Sequence, residues 1–251
     1  MLEKFTGVNP KNISLDDKET MKLIKSANTL GIRELGTKFV RNMILETKPA
    51  SFEDLVKISA LSHGTDVWMN NAQDLIKNGT ATLKDVIACR DDIMNYLMEL
   101  GIEKEIAFKI METIRKGRPA KEREEKWQDY VELMGKHGVP DWYIKSCEKI
   151  RYLFPRAHAV SYVLNSFRIA YYKTHYPEAF YKVYFKIKAS DKLDHSLLDD
   201  KEKILNKIKQ LNESKKRYYE NFEDYWYIDF QIEDCEIALE ALERGVNWKN
   251  V

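Results

Sequence analysis

The sequence predicts an all-α fold, an irregular multi-helix domain, from three observations. Glycine and proline are sparse, at 10 and 6 of 251 residues, so few positions interrupt a helix. Most segments space their apolar residues with a helical period instead of alternating them. Capping residues precede several of these segments. A hydrophobic content of 44% supports one large domain or two small ones.

Helix starts and ends can be placed from particular residues. Asp16 and Asp17 bring negative charge to a helix start, where the helix dipole favours it. Ser51 has the capping-box spacing, and Thr82 with Asp85 repeats it. Gly101 and Gly117 are typical of helix ends. Further helices are expected at about 36–47, 89–100, 103–116, 122–136, 141–152, 157–175, 196–219 and 231–244.

Two segments leave alternatives open. Tyr181–Ile187 is rich in aromatic and β-branched residues and fits an extended strand, but Pro177 can equally open a helix there. The segment from Lys186 to Glu220 is highly charged and fits a solvated helical pair or a linker.

Composition narrows the function classes. Lys and Arg number 41 against 40 Asp and Glu, so any nucleic-acid binding must rely on local clusters. Cys89, Cys147 and Cys235 are widely spaced and odd in number, which favours reduced thiols over disulfides or zinc. No apolar run reaches the roughly 18 residues of a membrane span, and the N-terminus lacks a signal-peptide pattern. We expect a soluble, cytoplasmic protein without a membrane partner.

The segment that begins at Phe154 predicts a helix with two different faces. At about 100° per residue, the apolar arc contains Val160, Val163, Leu164, Phe167, Ala170 and Tyr171. Groups in the opposite arc can stack on a base or bind phosphate, and this arc has no Lys or Glu. An ordinary solvated face is an equal alternative. The polar arc consists of His158, Ser161, Tyr162, Asn165, Arg168 and Tyr172.

Arg115-Lys116-Gly117-Arg118 places three cations around a glycine. Such a turn can bind a triphosphate or a DNA backbone. Cations in a last helical turn followed by glycine are also ordinary C-terminal capping. These residues alone favour capping.

Two other motifs give weaker indications of chemistry. Ser62, His63 and Asp66 hold the residue types of a hydrolase triad, but no nucleophile elbow or oxyanion hole accompanies them, so a loop tied by its own hydrogen bonds is favoured. Asp91 and Asp92 could bind metal, but helix capping is the better interpretation. We therefore predict no catalytic residue and no metal ligand in this chain.

Six segments, in order, resemble successive stretches of one family. That family is the PolC-type (Gram-positive) DNA polymerase III alpha subunit, a C-family DNA polymerase, in its fingers region. The resemblance runs from about Leu30 to Ala189, and more weakly through Met1–Asp16 and Cys235–Val251. The six segments are Ser59–Trp68, Cys89–Met94, Ala107–Glu112, Val139–Ile144, Phe154–Ala159 and Arg168–Tyr171.

The resemblance implies a helical domain that closes over an incoming deoxynucleoside triphosphate (dNTP). Tyr162 would lie nearest the base, and the family has Lys at Arg156, which is not an equivalent group. The implied nucleotide-binding residues are Phe154, Arg156, His158 and Tyr162. The implied phosphate- or DNA-binding residues are Arg115, Lys116, Arg118, Arg90, His63 and Arg168.

The resemblance also implies a division of the chain and a set of partners. Residues 1–30 would lead out of a palm, 31–190 would form the fingers, and 191–251 would form a charged helical connector toward a duplex-binding module. The palm, upstream, would supply the catalytic carboxylates that hold Mg²⁺, so this chain alone is expected to be inactive. Expected partners are primer–template DNA, dNTP and a palm-containing segment or chain, with the replisome and sliding clamp contacted indirectly.

A second function remains open. A stand-alone helical DNA-binding or interaction protein could keep this scaffold without polymerase activity.

Overall fold

The computed structural model describes residues 1–121, 125–187, 200–217 and 222–246. Within these ranges the regular structure is helical, and the only β-type pairing consists of two isolated bridges. The all-α prediction is confirmed. The chain forms two compact units, a central unit of Lys38–Asn165 and a terminal unit that combines Met1–Thr37 with Ser166–Val251. The functional division at residues 30 and 190 stays a prediction, and part of its connector (191–199, 218–221 and 247–251) lies outside the described residues.

Short helices separate the longer ones. A 3₁₀ turn covers Pro10–Asn12. Between Trp68 and Ala72 the chain makes an irregular turn, in which Met69, Asn70 and Asn71 have non-helical backbone angles. In chain order the α-helices are α1 (Leu2–Thr6), α2 (Lys18–Lys25), α3 (Lys38–Thr47), α4 (Phe52–His63), α5 (Gln73–Lys77), α6 (Arg90–Glu99), α7 (Lys104–Arg115), α8 (Arg118–Lys121), α9 (Glu125–Lys136), α10 (Asp141–Lys149), α11 (Arg156–His175), α12 (Pro177–Ile187), α13 (Lys201–Arg217) and α14 (Phe222–Glu243).

The predicted helix start at Asp17 and the capping box at Ser51 form, but the capping box predicted at Thr82 does not. Asp17 caps α2 by accepting from the Thr20 amide at 2.7 Å. Ser51 accepts from the Asp54 amide at 3.2 Å, and Asp54 accepts in return from the Ser51 amide at 3.1 Å. Asp85 accepts from the Thr82 amide at 2.8 Å and from the Thr82 hydroxyl, but the Asp85 amide donates to the Thr82 backbone carbonyl at 3.0 Å. This pair therefore closes a turn, and no helix follows directly. The next residues, 86–88, are buried in the core without helical structure.

The open alternatives resolve toward helix. Pro177 opens α12, and the residues that resembled a strand lie in this helix, where Tyr181 is fully buried. The aromatic residues of this segment therefore serve to pack α12 in the core, and they do not indicate a strand. Within the charged segment the described residues form α13, which packs along α14, a helix that lies after this segment. Residues 188–199 and 218–220 of this segment lie outside the described residues.

In the central unit, α3 packs on α4, α6 packs on α7, and α10 packs on α8 and α9. Burial of this apolar surface is the main favourable contribution to folding. Fully buried core residues include Leu55, Ile58, Ile93, Leu97, Ala107, Ile110, Ile114 and Met134.

All three cysteines are buried thiols. Burial raises the pKa of Cys89 to about 12 and that of Cys235 to about 11, and it raises the pKa of Cys147 as well. The prediction of reduced thiols is consistent with this burial, because thiolate is the reactive form and a raised pKa suppresses it.

None of the described helices combines the length and apolarity that a membrane span requires.

The terminal unit is organised around a buried lysine. Lys173 on α11 has no solvent exposure. Its ammonium donates to the Leu30 carbonyl at 2.7 Å and to Glu240 Oε2 at 2.9 Å. The same ammonium lies 5.4 Å from the centroid of the Phe180 ring. Arg244 pairs with the other oxygen of Glu240 at 3.0 Å. The charge is thus matched, as a buried ion requires.

We expect Lys173→Met to lower the free energy of unfolding by about 3 kcal/mol, the lower end of the range for breaking a buried pair, because Arg244 still partners Glu240. Lys201→Met is the matched control. Lys201 also pairs with a carboxylate of α14, Glu243, at 2.8 Å, but both side chains are more than half exposed, so the loss should stay below about 1 kcal/mol. Urea denaturation followed by circular dichroism measures both, and equal losses would contradict the role given to Lys173.

Candidate functional site

A short extended segment, Arg151–Phe154, joins separate parts of the central unit. The Thr65 amide donates to the Tyr152 carbonyl at 3.0 Å, and the Arg151 amide donates to the Thr65 carbonyl at 3.1 Å. Phe154 forms a parallel bridge with Cys89. Because Thr65 follows α4 and Cys89 precedes α6, these backbone contacts bring the end of one helix and the start of another to the segment that leads into α11.

Four rings gather at this junction, and we call them the ring cluster: His63, Phe154, His158 and Tyr162. His63 stacks on Phe154 with centroids 4.7 Å apart. Phe154 lies 5.9 Å from Tyr162 and 6.0 Å from His158. His63 also lies 5.8 Å from Tyr162. Phe154 and His63 are half-buried, whereas His158 is exposed and Tyr162 is 36% exposed. The cluster therefore presents aromatic surface to solvent.

The contacts of His63 do not form a hydrolase triad, although Ser62 Oγ lies 3.0 Å from its Nδ1. Its Nδ1 lies 2.8 Å from the Ser59 carbonyl, to which it donates, so the neutral ring carries its proton there. Ser62 donates to the same carbonyl at 2.9 Å. Asp66 pairs with Arg151 at 3.0 Å. A triad needs the carboxylate to orient the imidazole, and here Asp66 is engaged elsewhere.

The basic turn, Arg115 to Arg118, follows α7, and its first two cations share one carboxylate. Arg115 donates to both oxygens of Glu112, at 2.7 and 2.9 Å, and Lys116 lies 3.2 Å from Glu112 Oε2. The Arg115 hydrogen bonds, with help from Lys116, lower the pKa of Glu112 to about 2. Glu112 thus stays ionised at neutral pH, and Gly117 has a left-handed φ of 65°, as its predicted helix-end position requires.

An open cavity of about 370 Å³ lies beside the basic turn. Two of its lysines, Lys109 and Lys126, were not predicted as site residues. Lys109 could have been found from spacing, because it lies one turn before Glu112 and two turns before Lys116 on one face of α7. Lys126 follows a connection whose path the sequence does not specify. The full lining is Phe108, Lys109, Glu112, Thr113, Lys116, Arg118, Lys126 and Tyr130.

Gly117 brings the basic turn to the extended segment. A Cβ atom placed on Gly117 would lie 2.5 Å from the Arg151 carbonyl oxygen and 2.8 Å from its Cα. Only a residue without a side chain permits this approach. The ring cluster and the basic turn are therefore attached to the same four residues, Arg151–Phe154.

Three other predicted cations occupy different surroundings. Arg156 donates to Glu53 at 2.7 Å in a partly exposed pair. Arg90 directly follows Cys89 and lies 4.0 Å from the Asp91 carboxylate. Arg168 belongs to the terminal unit, where its Nε is buried without a hydrogen bond from the described residues.

The polar arc of α11 is only partly a solvent-facing surface. His158, Ser161, Tyr162 and Asn165 are exposed. Tyr172 is 3% exposed, and its hydroxyl donates to the Val8 carbonyl at 2.6 Å, so its placement in an arc that faces solvent or a ligand was wrong. The second half of α11 packs inside the terminal unit, and helical spacing alone does not reveal a helix that is covered on both sides.

The Asp92 carboxylate caps the start of α6. Asp92 accepts from the Ala88 amide at 2.9 Å and from the Cys89 amide at 3.2 Å, which confirms the capping prediction. Among the described residues, no three His, Cys, Asp or Glu side chains are grouped so that they could hold a metal ion.

Comparisons with known proteins agree on one family. The model of the bacterial DNA polymerase III alpha subunit finger domain matches residues 1–138. The chain is 48% identical to "DNA polymerase III PolC-type" of Caldanaerobacter subterraneus and 46% identical to that of Halalkalibacterium halodurans, in each case over 100% of this chain and 18% of the relative. The protein of the same name from Staphylococcus saprophyticus is 48% identical over 84% of this chain and 15% of its own length.

We expect Gly117→Ala to destabilise the protein by about 1–3 kcal/mol more than Gly101→Ala. Both glycines have positive φ, 65° and 86°, and share the cost of a left-handed alanine, about 1–2 kcal/mol. A Cβ on Gly101 meets nothing within 4 Å, so the difference isolates the contact with Arg151. Urea denaturation measures the free energy of unfolding of both variants. Equal losses would show that Gly117 does not approach Arg151 closely.

We also expect a pH-dependent role for Glu112. Because its folded pKa of about 2 is below the ordinary 4.5, its stabilising contribution is complete above pH 4.5 and is lost as the pH falls from 4.5 toward 2. Glu112→Gln should therefore destabilise the protein at pH 7 and lose this effect progressively below pH 4.5. Glu132→Gln is the control, because Glu132 is exposed and only 4.0 Å from Lys136. Parallel pH profiles for the two variants would refute the assignment.

Proposed function

The chain belongs to the PolC-type family of bacterial DNA polymerase III alpha subunits, and on this premise we propose that it acts as the fingers of a replicative DNA-directed DNA polymerase. In this role it binds the incoming dNTP and primer–template DNA during template-directed synthesis. The chain spans about 18% of the length of such relatives, so the chemistry of the whole enzyme involves more than these residues. The observation that carries the proposal is the attachment of the ring cluster and the basic turn to one segment, Arg151–Phe154.

The ring cluster supports recognition of a base. Tyr162 and His158 present exposed aromatic surface, and stacking on such rings contributes about 1–3 kcal/mol per base. Phe154 and His63 lie behind Tyr162 at 5.9 and 5.8 Å. Contact with two neighbouring rings limits the positions that Tyr162 can take. Such preorganisation lowers the entropic cost of binding.

The basic turn supports recognition of phosphate. Lys116 and Arg118 line the open cavity together with Lys109 and Lys126. Guanidinium and ammonium groups form charge-assisted hydrogen bonds to phosphate oxygens. In this proposal a triphosphate or a template phosphate competes with Glu112 for Arg115 and Lys116, while Arg156, Arg90, His63 and Arg168 contribute further contacts to phosphate or DNA.

The metal-dependent chemistry is not supplied by the described residues. Nucleotidyl transfer uses carboxylates that converge on two metal ions about 4 Å apart, and the described carboxylates form no such group. The donor set therefore does not fit Mg²⁺. We propose that its ligands belong to a palm segment or chain that partners this one, in the cytoplasm, with the replisome and sliding clamp contacted indirectly.

One observation favours a second candidate function. Arg115, Lys116 and Arg156 are each paired with a glutamate of the central unit, as cations with a purely structural role would be. A stand-alone helical DNA-binding or interaction protein on the same scaffold would show this pattern. A measurement of dNTP binding distinguishes the two candidate functions, because a DNA-binding or interaction protein does not require it.

We expect Tyr162→Ala to weaken dNTP binding about tenfold, through the loss of one stacking contact, without unfolding the chain. Phe39→Ala is the matched control, because Phe39 is another exposed aromatic of the central unit, at 41% against 36% for Tyr162, outside the ring cluster. Fluorescence anisotropy with a labelled dNTP measures the affinity, and circular dichroism checks the fold.

Combining Arg115→Ala with Lys116→Ala should weaken the same binding and reduce its dependence on salt. If neither this pair nor Tyr162→Ala changes dNTP affinity, the site is misassigned and the second candidate function is favoured.

A further inference from the structure

The open cavity beside the basic turn is lined by more than the cations of that turn. Its volume of about 370 Å³ lies within the range of about 300–1,000 Å³ that is typical of ligand sites. Phe108 and Lys109 of α7 and Lys126 and Tyr130 of α9 also line it. A dNTP has one base, which the proposed function places at the ring cluster, so the aromatic side chains of this cavity have no role in binding it.

The aromatic surface of the cavity is open to solvent. Phe108 is 49% exposed, more than Tyr162 at 36%, and Tyr130 is half-buried. An exposed phenylalanine forgoes the favourable free energy that burial would provide. A nucleic-acid base has a flat face that can cover such a ring, and this stacking tolerates any of the bases. The cavity can therefore accept a base of its own.

Cations lie beside the aromatic side chains on both helices. Lys109 directly follows Phe108, and Lys126 lies one turn before Tyr130 on the same face of α9. Each helix thus brings one ammonium group and one aromatic ring to the cavity. A single strand of nucleic acid has a matching pattern, because phosphates and bases alternate along it.

The charge of the lining favours an anion. Its four cations face one carboxylate, that of Glu112, which is already paired with Arg115 and Lys116. Among the described residues, neither Lys109 nor Lys126 forms an ion pair. A phosphate that reaches these two lysines displaces water and counterions, and the release of counterions contributes to affinity.

Two other phosphate-bearing ligands fit the cavity less well. In a duplex the faces of each base are covered by the neighbouring base pairs, so they cannot stack on Phe108. A triphosphate without its base would satisfy the cations and leave both aromatic side chains unused. An unpaired stretch of strand satisfies both kinds of group.

We propose that this cavity binds an unpaired nucleotide of the single-stranded template, with its base against Phe108 and Tyr130 and its flanking phosphates at Lys109 and Lys126. This assignment rests on the proposed function. It names the part of the primer–template that the cavity holds, namely the strand beyond the duplex. Stacking platforms set within a positively charged groove are the usual means of holding a single strand without regard to its sequence.

The direct test is fluorescence anisotropy of the full chain with a labelled oligothymidine strand at constant ionic strength. We expect saturable binding that Phe108→Ala weakens about tenfold through the loss of one stacking contact and that Phe108→Trp retains. Phe39→Ala is the matched control, because Phe39 is an exposed aromatic residue of the central unit outside this lining. Unchanged binding in Phe108→Ala, or no saturation, would overturn the proposal.

A strand of the same length with abasic sites isolates the stacking contact. It keeps the phosphates and lacks the bases, so Phe108→Ala should leave its affinity unchanged. A duplex of the same length, whose base faces are covered, should be equally insensitive to Phe108→Ala. If the variant weakens binding of the abasic strand or of the duplex as much as that of oligothymidine, Phe108 does not stack on a base and the assignment is wrong.

The two lysines are tested by salt dependence. Combining Lys109→Gln with Lys126→Gln should make the slope of log affinity against log salt concentration shallower by about 1.4, since each phosphate contact of a single strand contributes about 0.7. Lys104→Gln is the control, because Lys104 is an exposed lysine of α7 outside the lining. The same slope in the double variant and in the control would refute the phosphate contacts.

This assignment and the dNTP site can fail separately. If Phe108→Ala leaves oligothymidine binding unchanged while Tyr162→Ala weakens dNTP binding, only the template assignment fails. If oligothymidine binding depends on Phe108 while Tyr162→Ala leaves dNTP affinity unchanged, the dNTP site of the proposed function fails and the strand site stands.

Discussion

The backbone pairing of Arg151–Phe154 is the constraint on which the candidate site depends. Hydrogen bonds with Thr65, the bridge to Cys89 and the close approach of Gly117 all involve this short segment. Main-chain contacts do not depend on side-chain identity, so they fix positions while leaving side chains for other roles. Thr65, Cys89 and Gly117 are distant in sequence, but each is held in position against this segment.

The candidate site combines a fixed part with an adjustable part. The rings are packed against one another at the start of α11 and have few alternative positions. The cations lie on a turn, and two of them, Arg115 and Lys116, are paired with Glu112. In the proposed function a phosphate group competes with Glu112 for these two cations. A net charge of only +1 means that attraction of an anion depends on these local groups, since the molecule as a whole supplies almost no field.

Much of the fold could be predicted because it depends on local sequence. The capping pair of Ser51 and Asp54 and the left-handed Gly117 follow from neighbouring residues. The succession of His158 and Tyr162 along one side of α11, with Phe154 just before the helix, does so too. The approach of His63 to these rings does not, since about ninety residues separate it from Phe154. The family resemblance placed His63 among the phosphate- or DNA-binding residues and not with the rings. Tyr172 was misassigned because burial of the second half of α11 depends on the surrounding unit. Lys126 was missed because the sequence does not specify the path of the connection that precedes it.

The ion pair of Glu112 has a consequence for what the basic turn can accept if it binds phosphate as proposed. Any anion that reaches Arg115 or Lys116 must replace a carboxylate that is already well placed, at 2.7 to 3.2 Å. Chloride or a single weakly held phosphate gains little from this exchange. A polyanion gains more, because several charges act on the same cations at once. Competition with Glu112 would thereby make the basic turn selective for anions of high charge. Common monovalent anions would bind weakly, and chains of phosphate would bind more tightly.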